Sequence, residues 1–193
     1  RYPVLYIGFT WWLWLLTPLF RRIVDYRSSF TEPSPILIAP LLVTFICSIT
    51  FIKYLPQLSH KSGLPFILCA FSVIYGFCTG IIQNPIDSTI LDFLNAISPI
   101  LFGFYLFINW NKYPLYRQNI QNVFFWGVLI MGLYGVWQYL VAPGWDCLWL
   151  KNIDAFAFGL PEPFKIRVWS TMNSPQPFAV VMMAGLFVLL GSN

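Results

Sequence analysis

The sequence predicts an all-α, polytopic integral membrane protein with about six transmembrane helices, and three observations carry that expectation. Of its 193 residues, 58% are hydrophobic and only 9% charged, whereas soluble domains run about 45–50% apolar and about 25% charged. Too few charges are left to clothe a water-facing surface. Mean hydropathy is +0.69, and the apolar residues fall in runs near the roughly 20 that cross a hydrocarbon core about 30 Å thick. No run keeps a strand-like alternation, and a backbone in lipid must pair its own polar groups, so each run reads as a helix. This composition argues against a soluble globular enzyme. It also argues against disorder, because disordered chains are poor in aromatics and this one has nine Trp, ten Tyr and nineteen Phe.

The apolar runs follow in order. Val4 to Phe20 is ended by Arg21-Arg22 and has no small-residue cleavage site, so it is expected to be retained and not removed as a signal peptide. Ile36 to Ile52 ends at Lys53, and Leu64 to Ile82 ends at Gln83-Asn84-Pro85. Ile90 to Trp110 holds Asp92 and Asn95 in its first turns, which suggests that Ile90 to Ile97 lies along the interface and the span proper begins near Pro99. Val123 to Val141 and Pro177 to Leu190 complete the set. Connections are short except for Ala142 to Gln176, where charged residues alternate with Trp and Phe. Residues 1–193 read as a single transmembrane domain, the N-terminal part of a larger bundle: Arg1 is not an initiator Met, and the last run is short for a crossing.

Orientation is not decided by charge. Alternating sides gather Arg1, Lys53, Lys61, Lys112 and Arg117 against Arg21, Arg22, Arg27, Lys151, Lys165 and Arg167, five against six. Setting aside the three cations of the long loop as ligand-binding leaves five against three and leans that loop away from the cytoplasm. Arg21, Arg22 and Arg27 form a cluster without a role.

Most reactive side chains have ordinary readings. Cys47, Cys69, Cys78 and Cys147 make no Cys-x-x-Cys pair, and no metal or cofactor is expected; three of the four lie in apolar runs and read as small hydrophobes. His60 sits beside Lys61 with no carboxylate to set its tautomer, so it reads as a solvated interfacial residue. Asp87 and Asp92 flank the fourth run, where an acid near a helix N-terminus is commonplace. Phosphate loops, the dinucleotide fingerprint and the nucleophile elbow are absent from the sequence. A formal charge of +4 spread over several loops makes no nucleic-acid stripe. Trp145, Trp149 and Trp169 admit sugar stacking or an interfacial aromatic belt, and the belt is the commoner use of Trp.

The stretch Lys165-Ile166-Arg167-Val168-Trp169-Ser170-Thr171-Met172-Asn173-Ser174-Pro175-Gln176-Pro177 is different in kind. It sets a guanidinium, hydroxyls and amides just before an apolar helix whose first turn is expected at Pro177. Helix N-terminal amides and a planar guanidinium fork together suit an anion, and a diphosphate in particular. Lys165 and Arg167 could equally snorkel at the lipid interface, and residue types alone do not separate the two.

The same stretch resembles the segment before the C-terminal conserved region of the bacterial O-antigen ligase and O-antigen polymerase family. That family shows Arg-x-x-Gly-Thr, then Pro-Asn and an Ala three residues later, leading into a membrane helix. Arg167, Thr171, Pro175 and Ala179 keep the register, while Ser170 stands for the Gly and Gln176 for the Asn. The beginning, from Tyr2-Pro3 to Arg21-Arg22-Ile23-Val24-Asp25-Tyr26-Arg27, is similar to exopolysaccharide-type relatives of the family.

The resemblance implies a metal-independent glycosyltransferase of the bacterial inner membrane, for surface polysaccharide or exopolysaccharide. It implies an undecaprenyl-diphosphate-linked glycan donor and a saccharide or lipid-linked acceptor as partners. Arg167, Thr171 and Gln176 are then the substrate-binding residues, and the catalytic base is expected beyond Asn193, so that this stretch alone is expected to be inactive. A transporter or flippase component for lipid-linked saccharides is the competing expectation.

Overall fold

The computed structural model describes residues 3–30, 34–54, 63–153 and 158–191. Arg1, His60, Lys61 and Asp154 lie outside the described residues. The elements are, in order, α1 (Pro3–Arg27), a 3-10 turn (Pro35–Leu37), α2 (Ile38–Phe45), α3 (Cys47–Tyr54), α4 (Leu64–Gln83), α5 (Ile86–Ile108), a second 3-10 turn (Trp110–Lys112), α6 (Tyr113–Val141), α7 (Gly144–Ile153) and α8 (Pro175–Leu190). No strand occurs among the described residues; one isolated antiparallel bridge joins Gly159 and Ile166.

Five stretches, Pro3–Arg27, Pro35–Tyr54, Leu64–Gln83, Ile86–Ile108 and Trp110–Val141, are long and apolar enough to cross a membrane. Large apolar side chains such as Leu5, Phe71, Ile82, Leu133 and Leu190 point outward from them and from α8. Contiguous apolar surface of this kind is what lipid, not water, accommodates. The protein is an all-α polytopic membrane protein.

Five runs differ from the expected spans: the helix of the first continues past Arg21-Arg22 to Arg27, and that of the fifth begins at Tyr113, well before Val123. The second is divided at Ile46 into α2 and α3. Thr44 Oγ1 donates back to the Pro40 carbonyl at 2.6 Å, a contact that bends helices, and Ile49 N bonds Ile46 O in the tighter three-residue register. The fourth begins at Ile86 and runs unbroken through Pro99 to Ile108, so the chain does not change element near Pro99 as expected. Pro99 has no N–H to offer the preceding turn, and Ser98 Oγ donates to the Leu94 carbonyl beside it at 2.6 Å. Asp87 lies in the first turn of α5, where the helix dipole favours an acid. The sixth run starts at Pro175 instead of Pro177, with Ser174 at the N-cap.

The chain forms two compact units, one of Arg1–Ala39 with Leu115–Asn193, the other Pro40–Pro114. In the second, Phe104 is fully buried and takes edge contacts from Phe51 at 5.0 Å and Phe66 at 5.5 Å. An open groove of about 290 Å³ between α4 and α5 is lined by Gly76, Phe77, Asn84, Asp92 and Phe93, among others. In the first unit, Leu15, Val123, Met131 and Met172 form a core with Trp11, Phe178 and Met182 packed against it. Asn119 Nδ2 donates to the Val4 carbonyl at 2.8 Å and pins the start of α1 to α6.

Candidate functional site

The expected long loop of residues 142–176 is largely built. After α6, Ala142 turns the chain with φ +48, and α7 begins at Gly144 and lies against α1. Residues 158–167 double back as a short hairpin: Arg167 N donates to Phe158 O at 2.8 Å and Leu160 N to Lys165 O at 3.2 Å. Gly159 has φ +84, and a Cβ there would sit 2.2 Å from the Lys165 carbonyl oxygen, so only glycine fits. Phe164 N bonds the Tyr139 carbonyl at 2.9 Å, tying the hairpin to α6.

Beneath it lies a buried polar knot. Polar residues at helical spacing fall on one helix face, which puts Tyr134 and Gln138 of α6 side by side. Arg22 of α1 donates from Nη1 to Asp146 Oδ1 at 2.6 Å, and neither side chain is exposed. Its Nη2 donates to the Ser170 carbonyl, and its Nε to the Pro18 carbonyl at 3.3 Å. All three guanidinium nitrogens are engaged. Asp146 Oδ2 accepts from Gln138 Nε2 at 2.7 Å and from Tyr134 Oη at 2.8 Å, and Trp145 Nε1 donates to that same Tyr134 hydroxyl at 2.8 Å. Gln138 Oε1 accepts the backbone N–H groups of Trp169 at 3.1 Å and Ser170 at 2.8 Å. Ser170 Oγ donates to the Met131 carbonyl at 2.6 Å.

Burial raises the pKa of the Asp146 carboxyl, and the Arg22 charge, with the Tyr134 and Gln138 donors, pulls it back. The Trp149 and Trp169 rings each lie 5.9 Å from the Arg22 guanidinium carbon, and Phe158 stacks on Trp149 at 6.0 Å. Trp149 and Trp169 are therefore core residues: they enclose a cation, and neither the interfacial belt nor sugar stacking describes them. The cluster formed by Arg21 and Arg22 also has its explanation. Arg22 belongs to the knot, and buried Arg21 pairs with Asp25 at 3.2 Å, one turn on.

The three expected binding residues occupy different environments. Arg167 is exposed on the returning arm of the hairpin that runs into the knot, Thr171 is fully buried, and Gln176 is exposed in the first turn of α8. Thr171 Oγ1 has no hydrogen-bond partner, nor do Trp149 Nε1, Trp169 Nε1 and Asn173 Oδ1. The stretch thus presents Arg167 and Gln176 to the outside and turns Thr171 inward. Lys165 is exposed and paired with Glu162 at 2.7 Å. No cluster of metal-ligating side chains occurs among the described residues.

Sequence reading missed Arg22, Asp146, Tyr134 and Gln138. The available signal was polarity out of place: Gln138 within the apolar run of α6, and Asp146 between Trp145 and Cys147.

No family model, curated protein or solved structure matches this chain. Fold and site together define a polytopic helical membrane protein in which a buried ion pair joins α1 to α7 and holds the backbone at Ser170 ahead of α8.

Proposed function

We propose that this protein is part of an O-antigen ligase- or polymerase-like glycosyltransferase of the bacterial inner membrane, acting on an undecaprenyl-diphosphate-linked glycan. The observation that carries the reading is the backbone at Ser170, the position where the resembled motif has Gly. Its φ is +52, a left-handed conformation that glycine adopts freely and other residues adopt at a cost. A motif register taken from residue types thus lands its glycine where the backbone has use for one.

The chemistry suits the exposed cation. In transfer, the bond between the anomeric carbon and the diphosphate oxygen breaks, the acceptor hydroxyl oxygen bonds to that carbon, and the hydroxyl proton passes to a general base. The departing diphosphate gains negative charge in the transition state, where a fixed guanidinium stabilises it most. Arg167 is exposed, whereas each guanidinium nitrogen of buried Arg22 is engaged in the knot, so the role falls to Arg167.

A flippase component for lipid-linked saccharides is the second reading. The division of the second apolar run at Ile46 favours it, since broken helices mark transporter sites. One assay separates the two: sugar transfer from a synthetic undecaprenyl-diphosphate donor by the complete protein in detergent, with chelator present, comparing wild type with Arg167→Ala. Turnover that the substitution removes supports the transferase. Donor binding with no turnover in either form supports the flippase.

A further inference from the structure

We infer that Arg22, Asp146 and Gln138 are positioning residues that fix the backbone at Trp169–Ser170 and through it the presentation of Arg167. The catalytic half of this inference rests on the reading just proposed; the structural half does not.

The argument starts from Ser170. A serine at φ +52 is strained and keeps that conformation only when its surroundings over-determine it. Here they do. The Ser170 N–H goes to Gln138 Oε1, its carbonyl accepts from Arg22 Nη2, and its hydroxyl donates to the Met131 carbonyl. Every polar group of one residue is thereby held by α1 or α6. The neighbouring Trp169 N–H shares the Gln138 oxygen, and its ring closes over Arg22. The segment also lies close against α6, where a Cβ on Gly135 would come within 3.0 Å of Val168 Cγ1.

The knot is arranged so that each member orients the next. Asp146 holds the Arg22 fork and the Gln138 amide from opposite oxygens. With the Gln138 Nε2 committed to Asp146, its Oε1 is left to face the two loop N–H groups. Arg22 in turn reaches the loop only because its other nitrogens are anchored on Pro18 and Asp146. The Asp146 side chain bonds Arg22 and Gln138 rather than the Trp169–Ser170 backbone, yet it holds both groups that reach that backbone. Arg167 lies three residues before Ser170, in a hairpin whose far side is tied to α6 by Phe164. Fixing Ser170 therefore fixes the second end of the segment that carries the exposed guanidinium.

The test uses the complete protein in detergent and reads two quantities in Asp146→Asn and in Gln138→Ala. Trypsin cleavage after Lys165 and Arg167 reports local opening of the hairpin. Donor and acceptor KM, measured with the synthetic undecaprenyl-diphosphate donor, report presentation of Arg167. Both variants are expected to be cut about tenfold faster, the effect of losing roughly one buried hydrogen bond of local stability. Donor KM should rise while acceptor KM stays unchanged, a split that a general loss of fold would not produce. Gln138→Ala leaves the ion pair intact and decides the matter if Asp146→Asn fails to fold. Cleavage at the wild-type rate in a folded variant overturns the positioning role, as does faster cleavage with an unchanged donor KM. Retention of full transfer by Arg167→Ala would instead overturn the functional reading, and the cleavage rates would still decide the structural half.

Discussion

Arg22 and Asp146 are 124 positions apart in sequence and meet at 2.6 Å with no exposed side-chain surface on either. Two charges withdrawn from water each carry a desolvation cost of several kcal/mol, which the pair recovers only when the remaining donors and acceptors are also satisfied. Here Tyr134 and Gln138 donate to the second carboxylate oxygen, and Pro18 and Ser170 accept from the other two guanidinium nitrogens. The arrangement ties the C-terminal end of α1 to α7 and to the segment that leads into α8.

Breaking that pair from one side should be far worse than removing it whole. Arg22→Met strands a buried carboxylate and is expected to cost about 3–5 kcal/mol, whereas Arg22→Met with Asp146→Leu should recover a large part of that loss. Unfolding in a denaturing-detergent titration, run as a double-mutant cycle, checks this. Additive effects of the two single substitutions would contradict the coupling.

At Ser170 two effects oppose each other. Ser170→Gly relieves left-handed strain worth roughly 1–2 kcal/mol and loses the hydroxyl bond to Met131, worth roughly 0.5–1.5 kcal/mol. The variant should be within about 1 kcal/mol of wild type by the same titration. Ser170→Val keeps the strain, adds a branched side chain in a fully buried place, and should be clearly destabilised.

How much of this was legible beforehand follows from what each feature depends on. A helix in lipid depends on composition and run length, which are local, so α4 and α6 end where Gln83 and the Val141-Ala142-Pro143 stretch indicate. The division at Ile46 lies two residues beyond Thr44, whose hydroxyl turns back to the Pro40 carbonyl, and apolar residues on both sides conceal it. The knot depends on two charges brought together by the fold, so Arg21-Arg22 read only as a span terminus. The sequence shows the aromatic character of Trp149 and Trp169 but not their burial, which comes from packing with Leu150, Ile166 and Phe158 beside Arg22. Within the long loop, the inward turn of Thr171 follows from the backbone reversal at Ser170, which no residue type in the stretch announces.

Cys147 offers a pH-dependent probe of the same region. Burial pushes its thiol above the ordinary cysteine range, the Asp146 carboxylate adds to the rise, and Lys151 opposes it. Its Sγ–H also faces the carbonyls of Ala142 at 3.2 Å and Pro161 at 3.4 Å. The thiolate is the reactive form, so a raised pKa means less of it at neutral pH. Alkylation of Cys147 should be slow at neutral pH and accelerate only at a higher pH than a free thiol requires. Asp146→Asn should move that profile down; an unchanged profile would show that the carboxylate does not act on the thiol.

The ion pair also bears on orientation. Because Arg22 and Asp146 meet, the end of α1 and the start of α7 lie together; the stretches between them in sequence that are long and apolar enough to cross a membrane, Pro35–Tyr54, α4, α5 and α6, are even in number. Arg21 and Arg22 are buried and paired with carboxylates, so they are poor markers of a cytoplasmic loop. Setting them aside with Lys151, Lys165 and Arg167 leaves Arg27 alone on that side, against Arg1, Lys53, Lys61, Lys112 and Arg117 on the other. By the sequence count, the side with more of the remaining cations should face the cytoplasm, and the hairpin of residues 158–167 should face away from it. Lys165 is exposed, so Lys165→Cys in an otherwise cysteine-free protein should react with a membrane-impermeant maleimide added to intact cells. Lys112→Cys in the same background should react only after the membrane is opened. The reverse pattern would place the candidate site on the cytoplasmic face, where an acceptor delivered from outside could not reach Arg167.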